Sequence, residues 1–542
     1  MKKALLIATL LILSSSLFAQ TWLWGAEGSS QSDTYAVAAD AKGNGFLAGG
    51  FSPSIKFGAF TLTSVNQDSY LTKYDTAGNV LWAAQTKTLT ALDKALTIYI
   101  TTDKFSNIYA TGYFAGKVAF GKDTLTAVDS VWNVFLAKYN TNGKELWARQ
   151  SVAQPAVQDY GQSVATDNSG NVFVTGFFKN NISFGTDTLK STSRNDNMFI
   201  VKYDSGGNVL WARQSVALTH YAYGQGYSVT TDKAGNAFVT GAFMDTVTFG
   251  ALTLKSISST VFLAKYDANG NMLWAKAAGL SSSTDAGVGN AVVTDNADAA
   301  YITGQFTYGI TFGTYNLTAS AYGIFLAKYS SAGNVVWAEH IAPSRGQDGY
   351  SLAADSLEHI YLSGGITTAS SSSDPDPAVI IQFDSAGKAL CYSTTVTGGD
   401  DNNGVAVSPS GKYVYLGGDI YDSIVFGKDT LHYHGGEPPF IARWKPCIPN
   451  TDGINEVGPY ESITVYPNPS NGVFQLKITN YELGMKSTVE VYNVLGEKVY
   501  SQPSIINSPF SINLKGSPTG VYFIRVYDEG HKFSATTKII IE

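Results

Sequence analysis

Six aspartates recur at corresponding places in this chain: Asp33, Asp93, Asp159, Asp285, Asp348 and Asp401 each precede or open a short run of strand-forming residues. Carboxylates brought to one rim could hold a calcium ion or a polar ligand. The competing and preferred reading is local, because an Asp before a strand commonly accepts hydrogen bonds from the amides of its own turn. One unit departs from the pattern and carries Tyr221, Tyr223, Gln225 and Tyr227 there instead. A glycan-cleaving site would need two of these acids about 5–10 Å apart beside aromatic rings. The units are too alike for one of them to stand out as a catalytic specialist, so no catalytic residue is assigned and binding is favoured over catalysis.

Other chemistry is sparse. His432 and His434 share a strand face but lack a third ligand, so no metal site is assigned. There is no Gly-x-Ser-x-Gly elbow and no suggestion of a Cys–His pair. No cofactor is expected, calcium at the aspartate rim being the exception that the carboxylates leave open. Positive charge is nowhere concentrated and the formal net charge is −7, which argues against a nucleic-acid partner.

The elements that must position these residues are strands. The chain has 542 residues, 13% of them aromatic, and 54 glycines, a composition suited to strands joined by tight turns. A phrase running from Tyr74 to Trp82 returns at Tyr139–Trp147, Tyr203–Trp211, Tyr266–Trp274 and Tyr329–Trp337, with a worn copy at Phe383–Cys391 where Cys takes the Trp slot. Midway between these copies lies Asp-x-x-Gly-Asn before an apolar run, as at Asp40, Asp167 and Asp232, with weaker copies at Asp103 and Asp295. A third phrase is Phe-Gly, as at Phe184-Gly185.

One unit resolves into four antiparallel strands plus a hairpin, with no helix between units. This predicts an all-β fold, a seven-bladed β-propeller over residues 20–447. The seventh unit stops after its third strand at Phe440–Trp444, whereas Trp22 to Gly25 reads as a fourth strand without its first three. Pairing the two would close the ring without an open edge. The repeated Trp residues are then blade packing rather than a ligand platform.

These phrases resemble the secreted bacterial seven-bladed β-propeller repeat, a family that implies a fold but no single activity. Residues 448–460 read as a linker, and residues 461–542 as a small Ig-like β-sandwich of short alternating strands. That last segment resembles the type A C-terminal sorting domain of the type IX secretion system of the Bacteroidetes. The resemblance rests on Tyr466-Pro467-Asn468-Pro469 with Gly472, on Val491 to Gly496, on Pro518 to Ile524 with Gly520 and Tyr522, and on the terminal strand from Lys538. It implies contact with the secretion machinery, passage across the outer membrane, and release or attachment at the cell surface.

The N-terminus is consistent with export. Lys2 and Lys3 precede an apolar run from Ala4 to Leu13, and Leu17-Phe18-Ala19 offers a cut before Gln20, so residues 1–19 read as a signal peptide. No later run is long and apolar enough to span a membrane. Export would let Cys391 and Cys447 pair, with two separate thiols an equal alternative. The expected function is a non-enzymatic surface or secreted protein that binds a glycan or another protein, with a carbohydrate-active lyase or hydrolase as the alternative.

Overall fold

The computed structural model describes residues 22–29, 32–127, 131–154, 157–191, 195–344, 351–365, 378–395, 400–421, 423–433, 436–447, 463–478, 487–493, 497–505, 509–528 and 534–542. The signal segment with its Ala19–Gln20 cut, Asp348, His434, the linker 448–460 and Gly496 lie outside them; the side chains of Asp401 and Lys538 are also not described. The chain divides into two compact units, residues 1–447 and 448–542. Every element among the described residues is a strand.

The repeating element is a four-stranded antiparallel sheet. In one of them Tyr160–Thr166, Val172–Phe178, Asn197–Tyr203 and Val209–Ala217 pair in chain order. The strand ends follow from turn chemistry. Asp167 Oδ1 accepts the amides of Ser169 and Asn171, both at 2.9 Å, and Gly170 adopts a φ of 82°. A carboxylate satisfying two turn amides and a glycine in the left-handed region reverse the chain at little cost. Asp40, Asp103, Asp232, Asp295 and Asp355 accept the same pair of amides at their own turns. The predicted hairpin is present as Asn181–Phe184 and Asp187–Lys190.

The same order recurs in sheets starting at Ser32–Ala39, Lys94–Thr102, Tyr223–Thr231, Ala286–Thr294 and Ser351–Ala354. One more sheet runs Asp400–Val407, Val414–Ile420, Pro439–Trp444 and then Trp22–Glu27. Its outer strand therefore comes from the other end of the chain, with Trp22 opposite Trp444 and Glu27 opposite Phe440. The first strands of successive sheets lie side by side, and Asp400–Val407 lies beside Ser32–Ala39. Apolar clusters bridge neighbouring sheets; one joins Ala36 and Phe46 to Ile108 and Phe135.

The Trp residues fasten each sheet to the next. Trp82 Nε1 donates to Thr141 O at 3.1 Å and Trp211 Nε1 to Ala268 O at 3.1 Å, both in the turn between the third and fourth strands of the following sheet. Trp24, Trp147 and Trp274 donate to Thr76, Ser205 and Ser331 in the same way. The rings lie so close to the turn glycines that a Cβ built on Gly143 or Gly270 would fall 2.7 Å from the ring of Trp82 or Trp211. Beside each Trp, the third strand's cation reaches that same turn, as Lys73 Nζ does to Thr141 O and Lys202 Nζ to Ala268 O.

In the second unit Ile463–Tyr466, Val473–Ile478 and Phe510–Asn513 form one sheet, and Lys498–Ile505, Ser487–Asn493, Gly520–Asp528 and Ser534–Ile541 another. Phe474, Leu476 and Ile512 from the first sheet share a buried cluster with Val489, Val491, Ile524 and Ile539 from the second.

Candidate functional site

The pairing registers separate the aspartates that the sequence reading grouped. Asp33 and Asp401 are equivalent, opposite Gly50 and Asp419 respectively. In four of the other sheets that place is held by Leu96, Tyr160, Gln225 and Val288, opposite Tyr113, Phe177, Ala242 and Gln305. Asp159 stands one residue earlier. Asp93 and Asp285 lie outside their strands, in the preceding turns. Asp93 accepts the amides of Leu89, Thr90 and Lys117 at 3.1, 2.6 and 3.0 Å, and Asp285 those of Ser281 and Ser282 at 3.0 and 2.9 Å. Burial raises the Asp93 carboxyl, and these amides more than offset it, holding it below its ordinary value. Asp93 and Asp285, each three residues before that register, are turn caps, so the described acids do not share one position, because an offset along the chain changes what the side chain faces.

What the structure does bring together lies at the ends of the sheets opposite the Asp-x-x-Gly turns. The rings of Trp132 and Tyr113 meet edge to face with centroids 4.8 Å apart, and Tyr113 meets Tyr160 at 5.0 Å. Tyr160 continues to Phe177 at 5.0 Å, and Phe177 to Tyr227 at 6.3 Å. This row of five rings crosses three adjacent sheets, and each ring is only partly buried. Amides and acids edge it. The Tyr160 hydroxyl donates to Gln158 Oε1 and the Tyr227 hydroxyl to Gln225 Oε1, while Gln225 Nε2 donates to Asp196 Oδ2 at 2.7 Å.

Three carboxylates, Asp159, Asp196 and Asp33, act on tyrosines of the row. Asp159 is 0% exposed; its backbone N–H donates to Trp132 O at 3.0 Å, and Lys179 N reaches its Oδ1 at 3.3 Å. Its Oδ2 finds no hydrogen-bond partner among the described residues. Burial, reinforced by the charge of Asp196, pushes the Asp159 carboxyl up to about 8, so it is neutral at pH 7. Asp196 pairs with Lys179 Nζ at 3.5 Å. Burial also raises Asp33, which accepts from Gln67 Nε2 at 3.4 Å. Asp419, raised well above its ordinary value by burial with Asp33 and Glu437 adding, accepts the Thr34 amide at 2.8 Å. The Tyr113 hydroxyl is pushed up to about 12 by burial, with Tyr160 and Asp33 adding to it.

Tyr113, Trp132, Phe177, Asp196 and Asp419 were not singled out from the sequence. The available signal was variability inside a repeat. The residue after the second strand's glycine is Gly50, Tyr113, Phe177, Ala242, Gln305, Gly365 or Asp419, in a phrase that otherwise barely changes.

Elsewhere, His432 N donates to Glu27 Oε2 at 2.8 Å. Among the described residues no three metal-ligating side chains converge. Cys391 and Cys447 are joined by a disulfide. In the second unit the Tyr466 to Gly472 turn holds the terminal strand: Ile540 N donates to Asn468 Oδ1 at 3.0 Å and Ser470 N to Ile540 O at 2.8 Å. Pro467 and Pro469 flank Asn468 in that turn. The Tyr522 hydroxyl donates to Pro518 O at 2.7 Å, just before Gly520. No helix among the described residues is long and apolar enough to cross a membrane.

Comparison with known proteins bears on both units. Residues 464–542 match the family model of the secretion system C-terminal sorting domain, and residues 146–176 that of the beta-propeller repeat. The chain therefore carries a propeller repeat and a type IX sorting tail, which indicates export followed by secretion or surface attachment. An uncharacterized WD repeat-containing protein of Acanthamoeba polyphaga mimivirus is 24% identical over 363 residues, 55% of this chain. The match spans only 26% of that relative's length. Among solved structures, one titled as the mitotic checkpoint complex covers 79% of this chain and 93% of its own at 10% identity, with a TM-score of 0.41. A protein of unknown function from Dyadobacter fermentans covers 64% of this chain and 93% of its own at 10% identity and a TM-score of 0.36. PorZ, titled as a surface component of the type-IX secretion system of Porphyromonas gingivalis, covers 94% of this chain and 82% of its own at 10% identity and a TM-score of 0.20. At TM-scores below 0.5 these likenesses decide nothing.

Proposed function

We propose that the protein is an exported, non-enzymatic, seven-bladed propeller that binds glycan through the row of rings from Trp132 to Tyr227. The row carries this reading. Sugar rings present C–H faces that stack on aromatic faces and hydroxyls that bond to amides and carboxylates. Both kinds of group lie together here, on rigid strands of adjacent sheets. The rest of each unit is consumed by turns and clasps, which leaves this end free to vary. The seven-blade count is supported by the side-by-side first strands and by the outer strand donated from the N-terminus. An Ig-like sandwich for residues 461–542 is supported by the cluster shared between its two sheets. The signal peptide would be removed before Gln20, a Bacteroidetes host would route the chain through the periplasm, and no cofactor takes part in binding. A glycan array probed with the full chain tests the function: binding that is lost in Tyr160→Ala supports it, and an array without a hit overturns it.

One observation favours a second reading. Asp159, neutral at pH 7, sits within electrostatic reach of Asp196, and two acids in unlike environments beside aromatic rings are what a lyase or hydrolase uses. Release of reducing ends from an array-positive glycan, abolished by Asp196→Asn, would replace binding with catalysis.

A further inference from the structure

We infer that the glycan meets the Tyr160–Tyr227 half of the aromatic row as a hydrogen-bond donor, through free hydroxyls of an uncharged sugar, and that Gln225 and Asp196 are positioning residues that impose this direction. This rests on the glycan reading and narrows it to sugars unmodified at the hydroxyls that lie there. A tyrosine hydroxyl carries a single proton, so a partner that takes the proton leaves only lone pairs to offer. Both hydroxyls in this half are committed in that way. Tyr160 donates to Gln158 Oε1 and Tyr227 to Gln225 Oε1, in each case the glutamine two residues earlier in the chain. Phe177, between them in the row, has no polar group.

At Tyr227 the direction is fixed from outside the row. Gln225 could otherwise turn its amide over and present Nε2 to the hydroxyl. Asp196 prevents this, because its Oδ2 accepts from Gln225 Nε2 at 2.7 Å while its Oδ1 pairs with Lys179 Nζ at 3.5 Å. A carboxylate held by a cation has no proton to give. The amide nitrogen must therefore face Asp196, Oε1 must face Tyr227, and the Tyr227 proton must point at Oε1. Burial, with the charges of Tyr223 and Asp196 adding, raises the Tyr227 hydroxyl, so it keeps that proton. The register of Gln225 holds Asp33, Leu96, Tyr160 and Val288 in other sheets, so strand pairing does not call for an amide there. Asp196 is spent on Gln225 and Lys179, and Asp159 is sealed from solvent, so the acceptors left for a ligand are uncharged. They suit a sugar hydroxyl and reject sulfate, carboxylate and ether oxygens, which only accept. Trp132, at the other end, offers an indole N–H that only donates, so the row has a direction along its length.

The full chain on a glycan array tests this, with each neutral oligosaccharide printed in native form and as a set of ethers bearing a single methyl group per sugar, position by position. A methyl ether accepts but cannot donate. At the positions that meet the tyrosines the ether signal is expected to fall about tenfold or more below the native one, the scale of an acceptor left unmatched. Gln158→Leu/Gln225→Leu keeps the rings and both tyrosine hydroxyls but frees their protons, and should bring those ethers to within about twofold of the native sugar. Asp196→Ala, which releases the Gln225 amide from outside the row, should raise the same ethers about threefold or more, and decides alone if the double variant fails to fold. Steric rejection of the methyl group, or a merely structural role for the glutamines, would leave the ratios as they are in the parent protein. Ratios unchanged in variants that melt like the parent therefore overturn the inference and leave the glycan reading standing. So does a parent protein that binds native sugars and all their ethers alike. An array without a hit in either form removes the glycan reading itself, and the inference with it.

Discussion

Six of the junctions between sheets are clasped by a tryptophan on the outer strand of the preceding sheet; at the remaining one the ring comes from the following sheet, where Trp444 meets Tyr361 with centroids 6.4 Å apart. Trp24, Trp82, Trp147, Trp211, Trp274 and Trp337 each lie against the turn glycine of the next sheet, with Arg443, Lys73, Lys138, Lys202, Lys265 and Lys328 respectively reaching a carbonyl of the same turn. At the junction leading from Ala389–Thr394 to the final sheet, Cys391 stands at the Trp register and Gln382 at the Lys register. The reason is topological. The final sheet has no turn between its third and fourth strands, because its fourth strand arrives from the N-terminus. A Trp there would have no glycine turn to cover and a Lys no carbonyl to reach. What passes through that space is the outgoing chain, and Cys447 bonds to Cys391. A covalent link replaces an aromatic clasp at the place where the clasp's receptor has been cut.

The contrast can be broken in order of expected effect. Deleting residues 21–27 removes the outer strand of the final sheet together with Trp24, and should lower the unfolding midpoint by the order of 10 °C or more, or abolish cooperative unfolding in calorimetry. An unchanged midpoint would mean that the donated strand does not hold the ring. Next, Trp211→Ala opens one ordinary clasp and should cost about 3–5 kcal/mol in urea unfolding. Cys391→Ser/Cys447→Ser should cost somewhat less, about 2–4 kcal/mol, and Cys391→Trp/Cys447→Ser should not recover it. Recovery by Trp would show that a turn-like receptor exists at the seam after all.

The smallest effect concerns pH. Asp419 joins the final sheet to the first through the Thr34 amide, faces Asp33, Glu437 and Tyr70, and has its carboxyl raised by burial. Folding thus favours its protonated form. That contribution is complete below the ordinary carboxylate value and is lost as pH rises toward the raised one. Melting temperature should therefore fall as pH rises above about 4, and Asp419→Asn, which keeps an acceptor for Thr34, should flatten the slope. An identical slope in the variant would place the titration elsewhere.

Much of this architecture was legible in the chain. The Trp phrase, the Asp-x-x-Gly turns and the missing strand after Trp444 are local signals with local causes: a glycine pinned beneath a ring, a carboxylate capping its own turn, an edge needing a partner. The worn copy at Cys391 was visible too, though not its cause, since a junction between two sheets is set by registers far apart in sequence. The binding end was the least legible. Tyr113 and Phe177 sit in phrases that read as core strand, and only the pairing of Tyr160 with Phe177, or Leu96 with Tyr113, shows that they face the same end. The aspartates looked equivalent because each precedes the first strand of its unit, yet an offset of three residues puts Asp93 and Asp285 into turns and an offset of one leaves Asp159 beside the rings.

Cys447 is the last described residue of the first unit, and the sorting tail hangs from it. Tension applied through the tail would otherwise reach the Pro439–Trp444 strand at its end and peel it from its neighbours one hydrogen bond at a time. With Cys447 bonded to Cys391, that tension passes instead into Ala389–Thr394, a strand of a sheet whose four members are contiguous in the chain. The disulfide is thus placed as a strain relief, anchoring the cable before it reaches the one sheet assembled from two ends of the chain.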